Sequence, residues 1–387
     1  MLDGNEASEI MRIVMILSEP LPPREGIGFY AWNLAKYLVS KGHRVHLITR
    51  GGIHPMIREE MEGITIWKPT FLPIYPFHVH LHRMFVNTLI RRLDPRVDLY
   101  HLHSPLVGAI TTGKPVLVTV HTPVRADARA VPMNSWLGLL VKLQMPTSVI
   151  LEYELFKKAD QLVAVSWSVA SELGEYGIDP RRVVVAGNGA DIEIFHPAMT
   201  QQDRDKTYFL TACRLSLRKG LKDLINCAQI VVNSYPEVQF WVAGDGPLKY
   251  ELEKLIRQVN LVENIRLLGH ISSHRHLAKL YQGAIGYIHP AHYEGLPTVL
   301  LEAMACSCPV IATEVSGALD VVRDGENGLL TPPRNPQLLA EAVMRLIREP
   351  ALRRHIGRAA RQTIETYYSW EVVGKRYLQK YQQLFYS

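Results

Sequence analysis

The sequence predicts an α/β protein with two doubly wound domains that face each other across a cleft. The chain has 387 residues, more than one hydrophobic core usually holds, so two domains are expected. Short apolar runs alternate with helical patterns along nearly the whole chain, which is typical of parallel sheets flanked by helices. A polar stretch at 196–206 separates one alternation from a second. We therefore expect a first domain over residues 1–196, a second over 197–367 and a final segment over 368–387.

The first half is predicted to hold seven strands with helices between them. Each strand is a short run rich in β-branched residues, and each helix repeats apolar residues at three- and four-residue spacing. The predicted strands are 12–17, 44–49, 63–67, 99–103, 115–120, 161–166 and 182–186. The predicted helices are 29–40, 78–93, 148–159 and 168–176.

The second half repeats this organisation and ends in a lone helix. Its predicted strands are 207–213, 239–243, 264–268, 284–289, 309–312 and 328–330. Its predicted helices are 221–232, 248–259, 274–281, 298–306 and 336–348. The last helix, 370–385, has no strand after it, so we expect it to pack back on the first domain.

Composition excludes several classes of protein. Apolar residues make up 47% and charged residues 21%, as in ordinary globular proteins, and no apolar run is long enough to span a bilayer. The start carries Asp3, Glu6 and Glu9 with no Lys or Arg, unlike a secretory signal. The cysteines have neither disulfide-scaffold nor zinc-site spacing, so we expect a cytoplasmic protein. They are Cys213, Cys227, Cys306 and Cys308.

Two glycines precede the first predicted helix. Gly26, Gly28 and Ala31 fit the spacing of a dinucleotide fingerprint, which would indicate a dehydrogenase. The fingerprint requires its glycines directly after the first strand, and here residues 18–25 intervene. The dehydrogenase interpretation is therefore disfavoured, although Arg50 after the second strand could still meet a phosphorylated ribose. We expect Gly26 and Gly28 to let a phosphate or sugar approach backbone amides, with a purely conformational role as the alternative.

The strongest constellation follows the predicted strand 284–289. The loop through Glu294, Gly295, Leu296 and Pro297 leads into a helix near Thr298, at the strand edge where open α/β sheets bind ligands. Free amides at a helix N-terminus suit a diphosphate. Carboxylates accept hydrogen bonds from hydroxyl groups, so Glu302 suits a ribose and Glu294 a sugar.

With these residues in place, the chain resembles the retaining glycosyltransferases of family 4, the glycosyl transferases group 1, which have the GT-B fold. Glu294 and Glu302 form an E-x7-E pattern inside residues 293–305. The other matching segments follow in the family's order and cover nearly the whole chain. They are Gly26-Ile27-Gly28, Asn188-Gly189-Ala190-Asp191, Arg214 with Lys219-Gly220, and Gly244-Asp245-Gly246-Pro247.

The resemblance implies roles for individual residues. Arg214 and Lys219 would bind the donor diphosphate and neutralise the departing nucleotide, where a pair of surface cations is the alternative. His121 would lie near the donor sugar, although the acidic neighbour common in the family is absent. The alternative for His121 is an ordinary polar residue at a strand end. Main chain around Gly269, His270 and Ile271 would contact the base.

The resemblance also implies a reaction. A sugar would move from a UDP- or GDP-linked donor to an acceptor hydroxyl with retention at the anomeric carbon, with a donor phosphate oxygen taking the acceptor proton. We expect no tightly bound cofactor and no metal, because Arg214 and Lys219 supply the positive charge and we locate no D-x-D motif to bind a metal. The alternatives are a nucleotide-sugar-binding protein without transfer activity and a hydrolysing sugar epimerase of similar fold. A nucleic-acid partner is not expected, since the net charge of +6 is small for this length.

The acceptor side carries a basic, aromatic stretch. Residues 63–150 hold nine Lys and Arg against three Asp. The apolar segments 71–77 and 136–141 lie in this window, the first followed by Arg83, Arg91 and Arg92. Apolar groups beside cations suit the surface of an anionic membrane, so a lipid or lipid-linked acceptor is one hypothesis. The alternatives are a buried helix with a solvated basic face, and an acceptor that is a soluble glycan or small alcohol.

Overall fold

The computed structural model describes residues 9–23, 26–74, 77–130, 136–198 and 207–386, with backbone only for residues 130 and 136–144. Its architecture is α/β with two sheets in two domains, as predicted. The first sheet has the strand order β3-β4-β2-β1-β5-β6-β7-β8. Its strands are β1 Arg12–Ile16, β2 Arg44–Ile48, β3 Ile57–Met61, β4 Ile64–Lys68, β5 Leu99–Ser104, β6 Val116–Val120, β7 Gln161–Ala164 and β8 Val183–Val185.

The strand β3 is absent from the sequence prediction. It lies at the sheet edge and pairs antiparallel with β4, whereas the other pairs in this sheet are parallel. Its sequence, IREEM, is exposed along almost its whole length. An edge strand without a buried face lacks the apolar pattern on which strand prediction depends.

The first domain has five α-helices among the described residues. They are α1 Gly26–Ser40, α2 His78–Leu93, α3 Val124–Ala130, α4 Trp136–Lys158 and α5 Trp167–Glu172. The helix α4 begins before the predicted position, 148, because it continues through Pro146. A proline inside a helix removes one backbone hydrogen bond and normally indicates a helix start or break.

The second sheet is parallel throughout, with the strand order β11-β10-β9-β12-β13-β14. Its strands are β9 Tyr208–Ala212, β10 Gln239–Ala243, β11 Ile265–Gly269, β12 Gly286–His289, β13 Val310–Thr313 and β14 Leu329–Thr331. Its helices are α6 Leu221–Ser234, α7 Lys249–Gln258, α8 His274–Gly283, α9 Thr298–Ala305, α10 Ser316–Leu319, α11 Pro336–Arg348 and α12 Pro350–Thr363.

The final helix, α13 Trp370–Phe385, returns to the first domain and lies against α1. Gly374 sits so close to the ring of Tyr37 that an added Cβ would lie 2.3 Å from one ring carbon. Tyr377 and Tyr381 are fully buried. Across the described ranges, no helix has the length and apolar character needed to cross a membrane.

The chain crosses between the domains twice, and the two crossings are hydrogen-bonded to each other. Ala190 N–H donates to the Tyr368 carbonyl at 2.7 Å, and Trp370 N–H donates to the Ala190 carbonyl at 3.3 Å. The helix α5 also meets α10, since Ser168 Oγ lies 2.9 Å from the Ser316 carbonyl oxygen and 3.1 Å from Asp320 Oδ1. These contacts hold the two sheets with their carboxyl ends toward one cleft.

Candidate functional site

The candidate site lies where strand connections diverge in the second sheet. The strands β9 and β12 are neighbours, and the chain leaves them toward opposite edges of the sheet. Ligands of open parallel sheets bind at the carboxyl ends of such strands. Lys219 follows β9 and Glu294 follows β12, so the fold brings these two predicted residues together at that point.

Lys219 and Glu294 form a buried ion pair. Lys219 Nζ donates to Glu294 Oε1, and the side chains are only 12% and 10% exposed. Burial alone would favour the neutral acid, but the positive charges of Lys219 and Arg218 outweigh it and lower the pKa of Glu294 to about 2. The site therefore presents a fixed carboxylate and a fixed cation in a desolvated cleft.

The loop that carries Lys219 is tightly held. Gly220 has φ +64°, and a Cβ there would lie 1.8 Å from the Pro290 carbonyl oxygen. The backbone of His292 donates to the Arg218 carbonyl at 2.7 Å, and the His292 ring pairs with Asp223 at 2.7 Å. Only glycine permits this left-handed, close approach, so the sequence Lys219-Gly220 fixes the cation beside the loop after β12.

The loop after β12 lies directly on the first domain. A Cβ at Gly295 would lie 1.8 Å from the carbonyl oxygen of His121, which follows β6. Asn188 Nδ2 donates to the Leu296 carbonyl at 2.5 Å. The structure thus places His121 against the main chain next to Glu294.

Two further pairs link the domains here, and sequence reasoning missed both. Arg218 pairs with Asp127 of α3, and Tyr293 OH donates to Glu172 Oε2 at 2.7 Å. The partners are 91 and 121 residues apart in the chain, so no local spacing indicates them.

A cavity of about 260 Å³ opens beside α9, with walls from both domains. Thr298 and Glu302 line it from α9, Ser272 and His274 from the segment after β11, and α1 supplies the opposite wall. The predicted base-contacting residues Gly269, His270 and Ile271 directly precede the segment that lines it. Pro297 is the residue before α9, whose first residue is Thr298.

Among the residues that line this cavity, Glu302 has a strongly raised pKa. Burial raises its pKa to about 7, and this outweighs the opposite effect of a hydrogen bond from the neighbouring Tyr281 hydroxyl. Because Glu302 lines the cavity, its carboxyl group is placed to accept a hydrogen bond from a ligand hydroxyl group there.

Gly26 and Gly28 were expected to precede the first helix but lie in the first turn of α1, and they behave differently from each other. Gly28 N–H donates to Glu19 Oε2 at 2.8 Å, so in this conformation a side-chain carboxylate takes the amide that we expected a phosphate to approach. Gly26 faces the start of α9, since a Cβ at Gly26 would lie 3.8 Å from Thr298 Oγ1.

Arg214 is exposed on the segment after β9, on the same strand end as Lys219.

Across the described ranges, no group of three or more His, Cys, Asp or Glu residues has the arrangement of a metal site.

Comparisons with known proteins identify the family of this chain. The family described as "Glycosyltransferase Family 4" matches residues 24–194, and the one described as "Glycosyl transferases group 1" matches 194–363. A glycogen synthase of Mycobacterium tuberculosis is 26% identical over 96% of this chain and 94% of its own length.

Two solved structures have the same fold. Sucrose-phosphate synthase from Thermosynechococcus elongatus superposes with a TM-score of 0.84, at 23% identity, over 97% of this chain and 99% of its own. Anabaena HepE in complex with UDP-glucose superposes with a TM-score of 0.74, at 18% identity, over 96% of this chain and 100% of its own.

Proposed function

The chain is a GT-B glycosyltransferase of family 4, a member of the glycosyl transferases group 1, and from this premise we propose that it transfers a sugar from a nucleoside diphosphate donor to an acceptor hydroxyl with retention at the anomeric carbon. The observation that carries the proposal is the buried Lys219–Glu294 pair beside a cavity lined by Glu302. The Lys219–Glu294 pair suits a diphosphate and a sugar, and the cavity lined by Glu302 suits a nucleoside.

The nucleoside occupies the cavity beside α9. Glu302 accepts hydrogen bonds from the ribose hydroxyls at the wall of this cavity. The helix α9 begins at Thr298, shortly after Gly295 and Leu296. Its N-terminus is the positive end of the helix and suits the diphosphate. The relative HepE, which binds UDP-glucose, supports a nucleotide sugar as donor.

Arg214 and Lys219 stabilise the leaving diphosphate. Lys219 has to exchange its contact with Glu294 for the phosphate, and Glu294 then accepts hydrogen bonds from the transferred sugar. His121 faces the same point from the first domain. The acceptor proton passes to a donor phosphate oxygen, so the protein contributes charge and positioning and requires no nucleophile of its own.

The donor assignment is tested with a panel of UDP-, GDP- and ADP-linked sugars, assayed by release of nucleoside diphosphate with and without acceptor. Release that depends on acceptor supports transfer, whereas equal release without acceptor would indicate a hydrolase or epimerase. Proton NMR of the new glycosidic bond reports retention or inversion. We expect full activity in the presence of a chelator.

The roles of the two cations are tested with Arg214→Ala and Lys219→Ala. Loss of either charge-assisted contact should cost about 2–4 kcal/mol at the transition state, a fall of about 30- to 1,000-fold in kcat/KM. Lys222→Ala is the matched control, because Lys222 pairs with Glu251 on an exposed surface. Unchanged kinetics in both site variants would contradict the assignment.

We also propose that the acceptor is presented at an anionic membrane surface. The helix α2 exposes Met84 and Phe85, followed on its outer side by Arg91 and Arg92. The neighbouring helix α4, joined to α2 by the Arg83–Glu154 ion pair, exposes further apolar groups. Apolar side chains next to cations suit the headgroup region of a bilayer. The side chains of the second predicted stretch, 136–141, lie outside the described residues.

A further inference from the structure

Three buried histidines form a column that reaches the reaction centre from inside the first domain. This histidine column consists of His101 and His103 on β5 and His121 after β6. Adjacent rings are close, with centroids 4.1 Å apart for His101–His103 and 5.5 Å for His103–His121. His101 and His103 are fully buried. The reaction described above uses only His121, so the other two histidines require a separate explanation.

The inner end of the column is held by the final helix, α13. His101 Nδ1 lies 2.7 Å from Tyr381 OH, and His101 Nε2 lies 2.7 Å from Thr119 Oγ1. Thr119 Oγ1 lies 2.8 Å from Tyr377 OH. Both ring nitrogens of His101 are therefore satisfied, which fixes the plane against which His103 packs.

At the outer end of the column, a hydrogen bond joins His103 and His121. His103 Nδ1 lies 3.2 Å from His121 Nε2. Burial lowers the pKa of His121 to about 3 and that of His103 well below its usual range, so both rings are neutral near pH 7. A neutral imidazole has one N–H, so one histidine donates and the other accepts.

The remaining nitrogen of His103 decides which one donates. His103 Nε2 is buried without a hydrogen-bond partner among the described residues. If His103 Nδ1 accepted, the proton of His103 would be on Nε2, as a buried donor with no acceptor. Orphaned buried donors are rarer than orphaned acceptors. His103 Nδ1–H therefore donates, His121 Nε2 accepts, and His121 carries its own proton on Nδ1.

His121 Nδ1 is the atom that this arrangement directs outward. It bonds to no side chain or backbone group in the described part of the chain, and it is not among the fully buried atoms. Tyr30 packs edge-on against the ring at 4.7 Å and restricts its rotation. His121 also lies against Gly295, next to Glu294.

We propose that His103 is a positioning residue that holds His121 as a neutral hydrogen-bond donor, with Nδ1–H directed at the substrates. The inference rests on the proposed function for the role of His121, but the tautomer itself does not. In this arrangement His121 stabilises an oxygen atom of the donor sugar or the acceptor. It does not act as a base, because its accepting nitrogen is already occupied by His103.

Nitrogen NMR of the ¹⁵N-histidine-labelled full-length protein, without substrates, tests the tautomer. We expect His121 to show a protonated Nδ1 and an accepting Nε2, unchanged between pH 6 and 8. His121 with its proton on Nε2 would overturn the proposal. His103→Leu should release the tautomer preference, whereas His103→Asn, whose amide can donate from nearly the same place as Nδ1, should keep it.

Kinetics then test the link to transfer. With the donor and acceptor found active for the wild type, His103→Leu should lower kcat about 10- to 100-fold with little change in donor KM, and His103→Asn should recover most of the loss. His46→Leu, which loses a ring–indole contact on β2, controls for the removal of a sheet histidine. Equal rates for His103→Leu and the wild type would overturn the positioning role. If the wild type transfers no sugar from any donor while the tautomer is as expected, the proposed function fails and the tautomer assignment stands.

Discussion

At the scale of single residues, Lys219 and Glu294 depend on each other because both are buried. Lys219→Met removes the cation that contacts the buried Glu294 carboxylate, which should lower the free energy of unfolding by about 3–5 kcal/mol at pH 7. Adding Glu294→Gln should recover most of this loss, because no buried charge remains. Chemical denaturation of both single variants and of the double variant measures the effect, with Lys222→Met as the exposed control. Additive losses in the double variant would show that the two side chains do not interact.

Glu302 predicts a pH dependence of stability. Its pKa is about 7 in the folded protein and near 4.5 when unfolded, so the folded state binds the proton more tightly. This contribution is fully present below about pH 4.5 and is lost as the pH rises through 7. Glu302→Gln removes it. Between pH 5 and 8, the unfolding free energy of the wild type should therefore fall relative to Glu302→Gln by up to about 3 kcal/mol. Parallel pH profiles for the two proteins would contradict the raised pKa.

The sequence indicates candidate residues that lie within one loop and helix, and it carries no signal for residues that meet only through the fold. Glu294 and Glu302 are recognisable because their spacing spans a loop and a helix start. Asp127 and Glu172 carry no such signal, since their partners Arg218 and Tyr293 lie far along the chain. The contact between Gly28 and Glu19 was also hidden, because it depends on how the loop before α1 folds back.

At the scale of elements, the contact between α1 and α13 has no room for an extra methyl group at Gly374. Gly374→Ala places a Cβ within 2.3–2.5 Å of the Tyr37 ring, so the helices must separate or the ring must move. We expect a loss of about 1–3 kcal/mol in the free energy of unfolding, measured by denaturation. Gly113→Ala is the control, because nothing lies within 4 Å of its Cβ position. An equal, small effect of both substitutions would show that the helix contact adapts freely.

A buried face helped the prediction of some elements but not of all, since α12 was not predicted although Ile356 and Ala360 are buried. The helix α11 has the predicted bounds, Pro336–Arg348, because its buried residues recur at helical spacing. The prediction missed the strand β3 and the part of α4 before Pro146, and the reasons differ. In β3 no side is apolar enough to show a period of two, and in α4 a proline interrupts a helix that continues.

At the scale of the whole molecule, the exposed groups of α2 predict binding to membranes. The protein should sediment with vesicles that contain anionic lipid at low salt, and less at high salt, because screening weakens the attraction of Arg91 and Arg92. Replacing both with Glu should abolish sedimentation, and Met84→Ser should weaken it at every salt concentration. Arg345→Glu, on the far domain, is the control. Equal recovery with neutral and anionic vesicles, or none with either, would favour a water-soluble acceptor.

The return of α13 to the first domain has a consequence for how the protein is made. Tyr381 meets His101 across 280 residues of chain, and Tyr377 meets Thr119 across 258. At ordinary rates of translation, the ribosome needs roughly 10–40 s to synthesise the second domain that lies between these partners. Throughout that interval the nascent first domain has to keep His101 and Thr119 hydrated, or covered by a chaperone. The first domain therefore completes its packing only after the second domain and α13 have been synthesised.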